Sequence, residues 1–287
     1  LCEYWCKTSQ VPAGLVAIPA TGDSFTGLSN IIRVRFPEFG VWSLPIVAHE
    51  FGHYLQAEKR EQKFPYLFNE ILSSEGQAFT DQPDPILQEQ FADLFAVYVL
   101  GPAYACTCIL LEFNPRTADR DAIGHPSDAR RVFFLLRALE KLQEHDCTKP
   151  YDWIITQLNK RWGAGVRAAK SQPLTKKELQ QLGKRFDTLY EVLANPANQL
   201  AAAPYGPDRW SLVRPLAGEL GRLAATHASA YEAEGRVRKV LEGQKGPAVV
   251  PDLLNAAWLC RLLDDQSDPR VISRLALPAC RSLLNRK

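Results

Sequence analysis

Methionine is absent from all 287 residues, and the first residue is Leu1. A chain of this size would ordinarily contain several, so the sequence reads as a fragment or subset of a longer one. Contiguous motifs therefore carry more weight than long separations. A charge excess of either sign is also missing. Lys and Arg number 34 against 32 Asp and Glu, and a formal net charge of +2 gives no reason to expect nucleic acid or an acidic membrane as a partner. Cysteine is sparse and scattered: Cys2, Cys6, Cys106, Cys108, Cys147, Cys260 and Cys280. The odd number and the length of the chain argue against a disulfide framework, and no CxxC pair suggests a zinc ribbon. These cysteines read as reduced thiols of a cytoplasmic protein, mostly buried as small hydrophobes. No signal peptide is visible in a sequence whose N-terminus reads as truncated, and no internal repeat, low-complexity tract or phosphate-cradling glycine loop is seen.

Long apolar runs are nearly absent too. Leu94 to Leu111, LFAVYVLGPAYACTCILL, is uncharged but sits at the lower limit for crossing a bilayer. Asp93 precedes it, Gly101-Pro102 interrupts it, and Glu112 follows where a basic anchor would be expected. A buried core helix is the better reading, and no membrane partner is expected.

What is present is concentrated in SLPIVAHEFGHYLQAEKREQ, residues 43–62. The spacing predicts a helix from Ser43 to about Lys63, with Ser43 as N-cap, Pro45 in the first turn and Pro65 beyond the end. On it His49 and His53 are one turn apart on the same face, so both imidazoles can reach one metal ion. Glu50 lies about 100° around the helix, within reach of a water on that metal but not itself a ligand. This is the HExxH arrangement, with Glu50 as base. The alternative is chance, since only three positions are fixed. Against it, Leu44, Ile46, Val47, Phe51 and Leu55 embed the helix in a core, where two histidines and a glutamate are costly without a metal. Gly52 leaves room beside the site.

A third ligand separates the zinc-peptidase classes. HExxHxxGxxH is excluded, because Gln56 and Lys59 stand where Gly and His are needed. The ExxxD pattern is present as EQFAD, residues 89–93. It resembles the gluzincin pattern, which implies that Glu89 is the third zinc ligand and that Asp93 accepts a hydrogen bond from the outer nitrogen of a ligand histidine, His49 for preference. Glu70 and Glu75 are nearer in sequence, but neither has an Asp four residues later. The competing reading of 89–93 is an exposed Glu and a first-turn Asp favoured by the helix dipole.

HEFGHYL followed by EQFADLFAVYVLGP resembles the gluzincin metallopeptidases, particularly soluble proteins of the ImmA/IrrE type. HPSDARRV at 125–132 is similar to a segment that follows ExxxD in the CAAX prenyl protease and HtpX group. The likeness covers roughly residues 30–140. It implies a zinc endopeptidase with an edge strand upstream of the metal helix that pairs with the substrate backbone, a place occupied here by Ile31 to Phe36. It also implies that His125 acts in catalysis by stabilising an oxyanion. The residue alone equally fits a helix-entry His bonded to backbone. Arg131 fits a carboxylate in the site, as a candidate substrate contact, or simply a surface acid, and Tyr54, Tyr98 and Tyr104 are alternative oxyanion donors.

Beyond Asp146 every segment reads as helix, at 151–162, 175–193, 209–225, 228–242, 252–263 and 270–284, with Pro/Gly-rich linkers at 195–208 and 243–251. The expected fold is α+β, mainly α. A gluzincin-like zinc-peptidase domain with short edge strands spans 1–145, and an all-helical domain for access control or partner binding spans 146–287. The expected activity is zinc-dependent hydrolysis of a restricted protein or peptide substrate. The alternative is a zinc-binding regulatory protein whose helical half holds a partner.

Overall fold

Alternation of apolar and basic residues in IIRVR does produce a strand, but strand is a minor component of this protein. The computed structural model describes the backbone at 16–20, 24–26 and 31–35, and then residues 40–58, 71, 73, 84–122, 124–195, 203–242, 249–264 and 267–284. Strands β1 (Val16–Ala20), β2 (Ser24–Thr26) and β3 (Ile31–Arg35) are short and ordered β1-β3-β2, with β3 parallel to β1 and antiparallel to β2. Helices supply the described core, so the expected α+β class is corrected to all-α. The strand expected at the edge is also corrected: β3 is central, with both of its sides paired.

The helices are α1 (Ile46–Glu58), α2 (Pro85–Leu100), α3 (Pro102–Thr107), α4 (Asp128–Leu142), α5 (Asp152–Ala169), α6 (Lys176–Ala194), α7 (Trp210–Ala225), α8 (Ala230–Glu242), α9 (Val250–Leu263) and α10 (Pro269–Leu284). A π turn, Cys108–Glu112, continues from α3. Two of these helices organise the rest because they are apolar on nearly every side. α2 is buried from Glu89 to Leu100 and packs against α1, α4 and α6. α9 is buried from Val250 to Cys260 and packs against α7 and α10. A helix without a polar face has to be surrounded. Among the described residues, none of these helices is long and apolar enough to cross a membrane.

Local chemistry fixes the ends of α2. The Asp84 side chain accepts from the Ile86 amide at 2.8 Å, and Pro85 occupies the first helical position. Gly101 ends the helix in the left-handed region at φ 62°, where its N–H donates to the Val97 carbonyl at 2.7 Å. A side chain there would meet the Tyr205 ring at 2.5 Å, so the break needs glycine twice over.

α9 and α2 meet at that break through Asn255, which is fully buried. Its Nδ2 donates to the carbonyls of Leu100 and Pro251, both at 2.8 Å, and its Oδ1 accepts from the Ala103 amide at 2.8 Å. The buried core is continuous from Val41 to Cys280 and crosses residue 145 without interruption. Cys106, Cys108, Cys260 and Cys280 are buried free thiols and Cys147 is an exposed one, while Cys2 and Cys6 lie outside the described residues.

Candidate metal centre

α1 and α2 come into backbone contact where neither carries a large side chain. A Cβ on Gly52 would stand 2.8 Å from the Ala92 Cα and 3.2 Å from its Cβ. The space expected beside the site is therefore filled by the neighbouring helix. Gln56 ties the same crossing: its Nε2 donates to the Gly52 carbonyl at 3.3 Å and to the Gln88 carbonyl at 3.0 Å. This close approach brings the His49–His53 face of α1 against the Glu89–Asp93 face of α2.

His49, His53 and Glu89 offer ligand atoms that all lie within 4.8 Å of one another. The two Nε2 atoms are 3.1 Å apart. Glu89 Oε1 is 3.1 Å from His53 Nε2, and Oε2 is 3.4 Å from His49 Nε2. Glu89 Oε2 is buried yet makes no hydrogen bond. Two imidazole nitrogens and a carboxylate are the donor set of a three-ligand metal site. A buried group of this kind could hold a metal ion.

The charge pattern agrees. Burial opposes ionisation of Glu89, but His49 and His53 prevail and hold it well below the usual carboxylate range. Burial likewise disfavours charge on His49, yet Asp93 and Glu89 raise its pKa from 6.5 to about 10. Without a metal, an ionised Glu89 is therefore balanced by a protonated His49.

Behind His49, Asp93 is completely buried and receives donors on both oxygens. Oδ1 accepts the Tyr104 hydroxyl at 2.6 Å and Arg131 Nη2 at 2.7 Å, and lies 3.0 Å from His49 Nδ1. Oδ2 accepts Arg131 Nε at 2.8 Å. Despite burial, Arg131 foremost holds this carboxyl far below its ordinary range. With Nδ1 directed at Asp93, Nε2 of His49 faces His53 and Glu89.

The remaining candidates divide. Glu50 is buried, next to His49 on α1. His125 reaches the cluster, with Nδ1 3.1 Å from Glu89 Oε2 and its side chain 56% exposed. Its backbone also exchanges hydrogen bonds with Ala122, both at 3.1 Å, so features of both readings of this residue coexist. Arg131 binds a carboxylate within the site: Asp93, and neither a substrate nor a surface acid, occupies its fork, and the guanidinium lies 4.8 Å over the Phe113 ring. Tyr54 is corrected from an oxyanion contact. It is fully buried against Phe51 and turned about 140° around α1 from His49. Tyr98 is buried beside Tyr190. His145 and His227 are exposed, while Glu70 and Glu75 lie outside the described residues.

The sequence does not mark Gln56 or Asn255 as parts of this arrangement, and it offers Tyr104 only as one of three alternative oxyanion donors. Each contributes through hydrogen bonds that leave no short-range signature in the sequence. No family model, curated protein or solved structure matches the chain.

Proposed function

We propose that this protein is a zinc-dependent peptidase acting on a restricted protein or peptide substrate. The observation that carries the reading is the convergence of His49, His53 and Glu89, with Asp93 set behind His49. Two imidazoles and one carboxylate suit zinc among the common metals. Zinc, when bound, supplies a Lewis acid that polarises a peptide carbonyl and acidifies water. Glu50 receives a proton from the attacking water and delivers it to the leaving amine. His125, exposed at the rim of the cluster, donates a hydrogen bond to the developing oxyanion. Asp93 and Arg131 hold the His49 ring in the orientation that ligation needs.

The test compares wild type with Glu50→Gln by elemental analysis and by cleavage of an unbiased peptide pool. The variant is expected to keep one zinc per chain and to lose hydrolysis. Loss of zinc from a folded Glu50→Gln protein would overturn the role of Glu50, and a wild type that takes up well under one zinc would overturn the whole reading.

One observation favours the narrower alternative, a zinc-binding regulatory protein with a partner on its helical half. The strand in the position of a substrate-pairing edge is instead central, flanked by β1 and β2. A zinc-loaded protein that cleaves no unstructured peptide would support that alternative.

A further inference from the structure

We propose that Tyr104 is a positioning residue for His49, and that Asn255 of α9 sets where Tyr104 stands. The metal centre is then completed by a helix from the far end of the chain. This rests on the reading of His49 as a metal ligand.

Tyr104 is fully buried. Its hydroxyl lies 3.0 Å from His49 Nδ1 while donating to Asp93 Oδ1 at 2.6 Å, and the two rings are nearly parallel, 14° apart. The hydroxyl is on the Nδ1 side of the imidazole, away from the Nε2 that faces His53 and Glu89. It therefore cannot act as an oxyanion donor to a substrate at the metal. It braces the ring instead: Asp93 and Tyr104 together fix the direction of Nδ1, and through it the aim of Nε2.

Tyr104 stands there because α2 stops at Gly101 and α3 restarts at Pro102. A break of this kind leaves carbonyls before it and amides after it in need of partners. Asn255 satisfies one of each, Leu100 O and Ala103 N. Ala103 directly precedes Tyr104. One side chain from α9 thus fixes the offset between α2, which carries Glu89 and Asp93, and α3, which carries the hydroxyl behind His49.

Tyr104→Phe in the full chain removes a single oxygen and keeps the ring. Zinc affinity, measured by competition with a chromophoric chelator, should fall about 10- to 100-fold. The metal-free melting temperature should stay within a few degrees of wild type, which a purely structural role would not allow alongside such a loss. Cobalt loaded in place of zinc should show altered visible bands. Asn255→Ala should also weaken zinc binding, but add little in the Tyr104→Phe background, because both act on one contact. Either variant decides the matter if the other fails to fold. Zinc affinity of Tyr104→Phe within about twofold of a zinc-binding wild type would overturn this inference alone. Fully additive losses in the double variant would remove Asn255 from it, and a wild type that binds no zinc would overturn it together with the metal-site reading.

Discussion

Four donor atoms surround the two oxygens of Asp93, which leaves that carboxylate fully engaged behind His49. Glu89, one turn earlier on the same helix, instead faces the Nε2 atoms of His49 and His53 and the Nδ1 of His125. The two acids should therefore respond differently to substitution. Glu89→Ala should lower zinc affinity by orders of magnitude, and Asp93→Asn by about 10- to 100-fold, both read by metal titration. Equal, small effects would sink the division of labour. His49 gives a pH prediction. Its folded pKa, about 10, lies above its ordinary 6.5. The stability linked to its proton is therefore complete below about 6.5 and is lost as pH rises through about 10. Zinc uptake must displace that proton. The gap between zinc-loaded and metal-free melting temperatures should widen from pH 7 to 9, and a constant gap would refute the assignment. His49 and His53 were legible because helical spacing decides which side chains share a face, whereas Glu89 and Asp93 were legible only through the resemblance of EQFAD to the gluzincin ExxxD pattern. Tyr104 was not separable from Tyr54 and Tyr98, since spacing does not say which ring a distant helix will trap.

At the scale of elements, the site depends on how closely α1 and α2 approach. Gly52→Ala would drive a methyl into the Ala92 backbone at 2.8 Å. It should cost about 1–3 kcal/mol of stability and spread the ligands, so that thermal melts and zinc titration both worsen. A variant with unchanged melting and unchanged zinc binding would show that the crossing has slack. The helices were largely readable from apolar periodicity and punctuation. α6 starts at Thr175 as expected, where Glu178 Oε2 accepts from the Thr175 amide at 2.9 Å and Thr175 Oγ1 accepts from the Glu178 amide at 3.3 Å. α5 was expected to stop at Trp162 ahead of two glycines, but it runs to Ala169. Gly165 lies against Pro115, where any Cβ would be 2.8 Å from the ring. Tertiary contact there outweighs the intrinsic cost of glycine in a helix. The central placement of β3 was illegible for a related reason: a strand's alternation reports its faces and says nothing of its neighbours.

Across the described residues, one core cluster and the α2–α9 contact tie the two halves together. Near- and far-ultraviolet circular dichroism should therefore report one coincident unfolding transition. Zinc at 100 times its Kd should raise the stability by about 2.7 kcal/mol, and chelation should remove that increment. Two separated transitions would show that the halves unfold independently. The all-α class was hard to foresee because the strand signal at 31–35 is real; α2 and α9 needed partners on every side, and other helices met that need. The distance in sequence between Asn255 and the ligands has a consequence in time. On the ribosome, His49, His53 and Glu89 emerge early, whereas Asn255 follows on the order of 10 s later at ordinary elongation rates. Until then the Leu100 carbonyl and the Ala103 amide lack their clamp, and His49 lacks a settled brace. On the proposed metal-site reading, stable metal retention should therefore wait for α9. Arrested nascent chains ending before α9 should release zinc readily to a chelator, while released full-length chains should retain it.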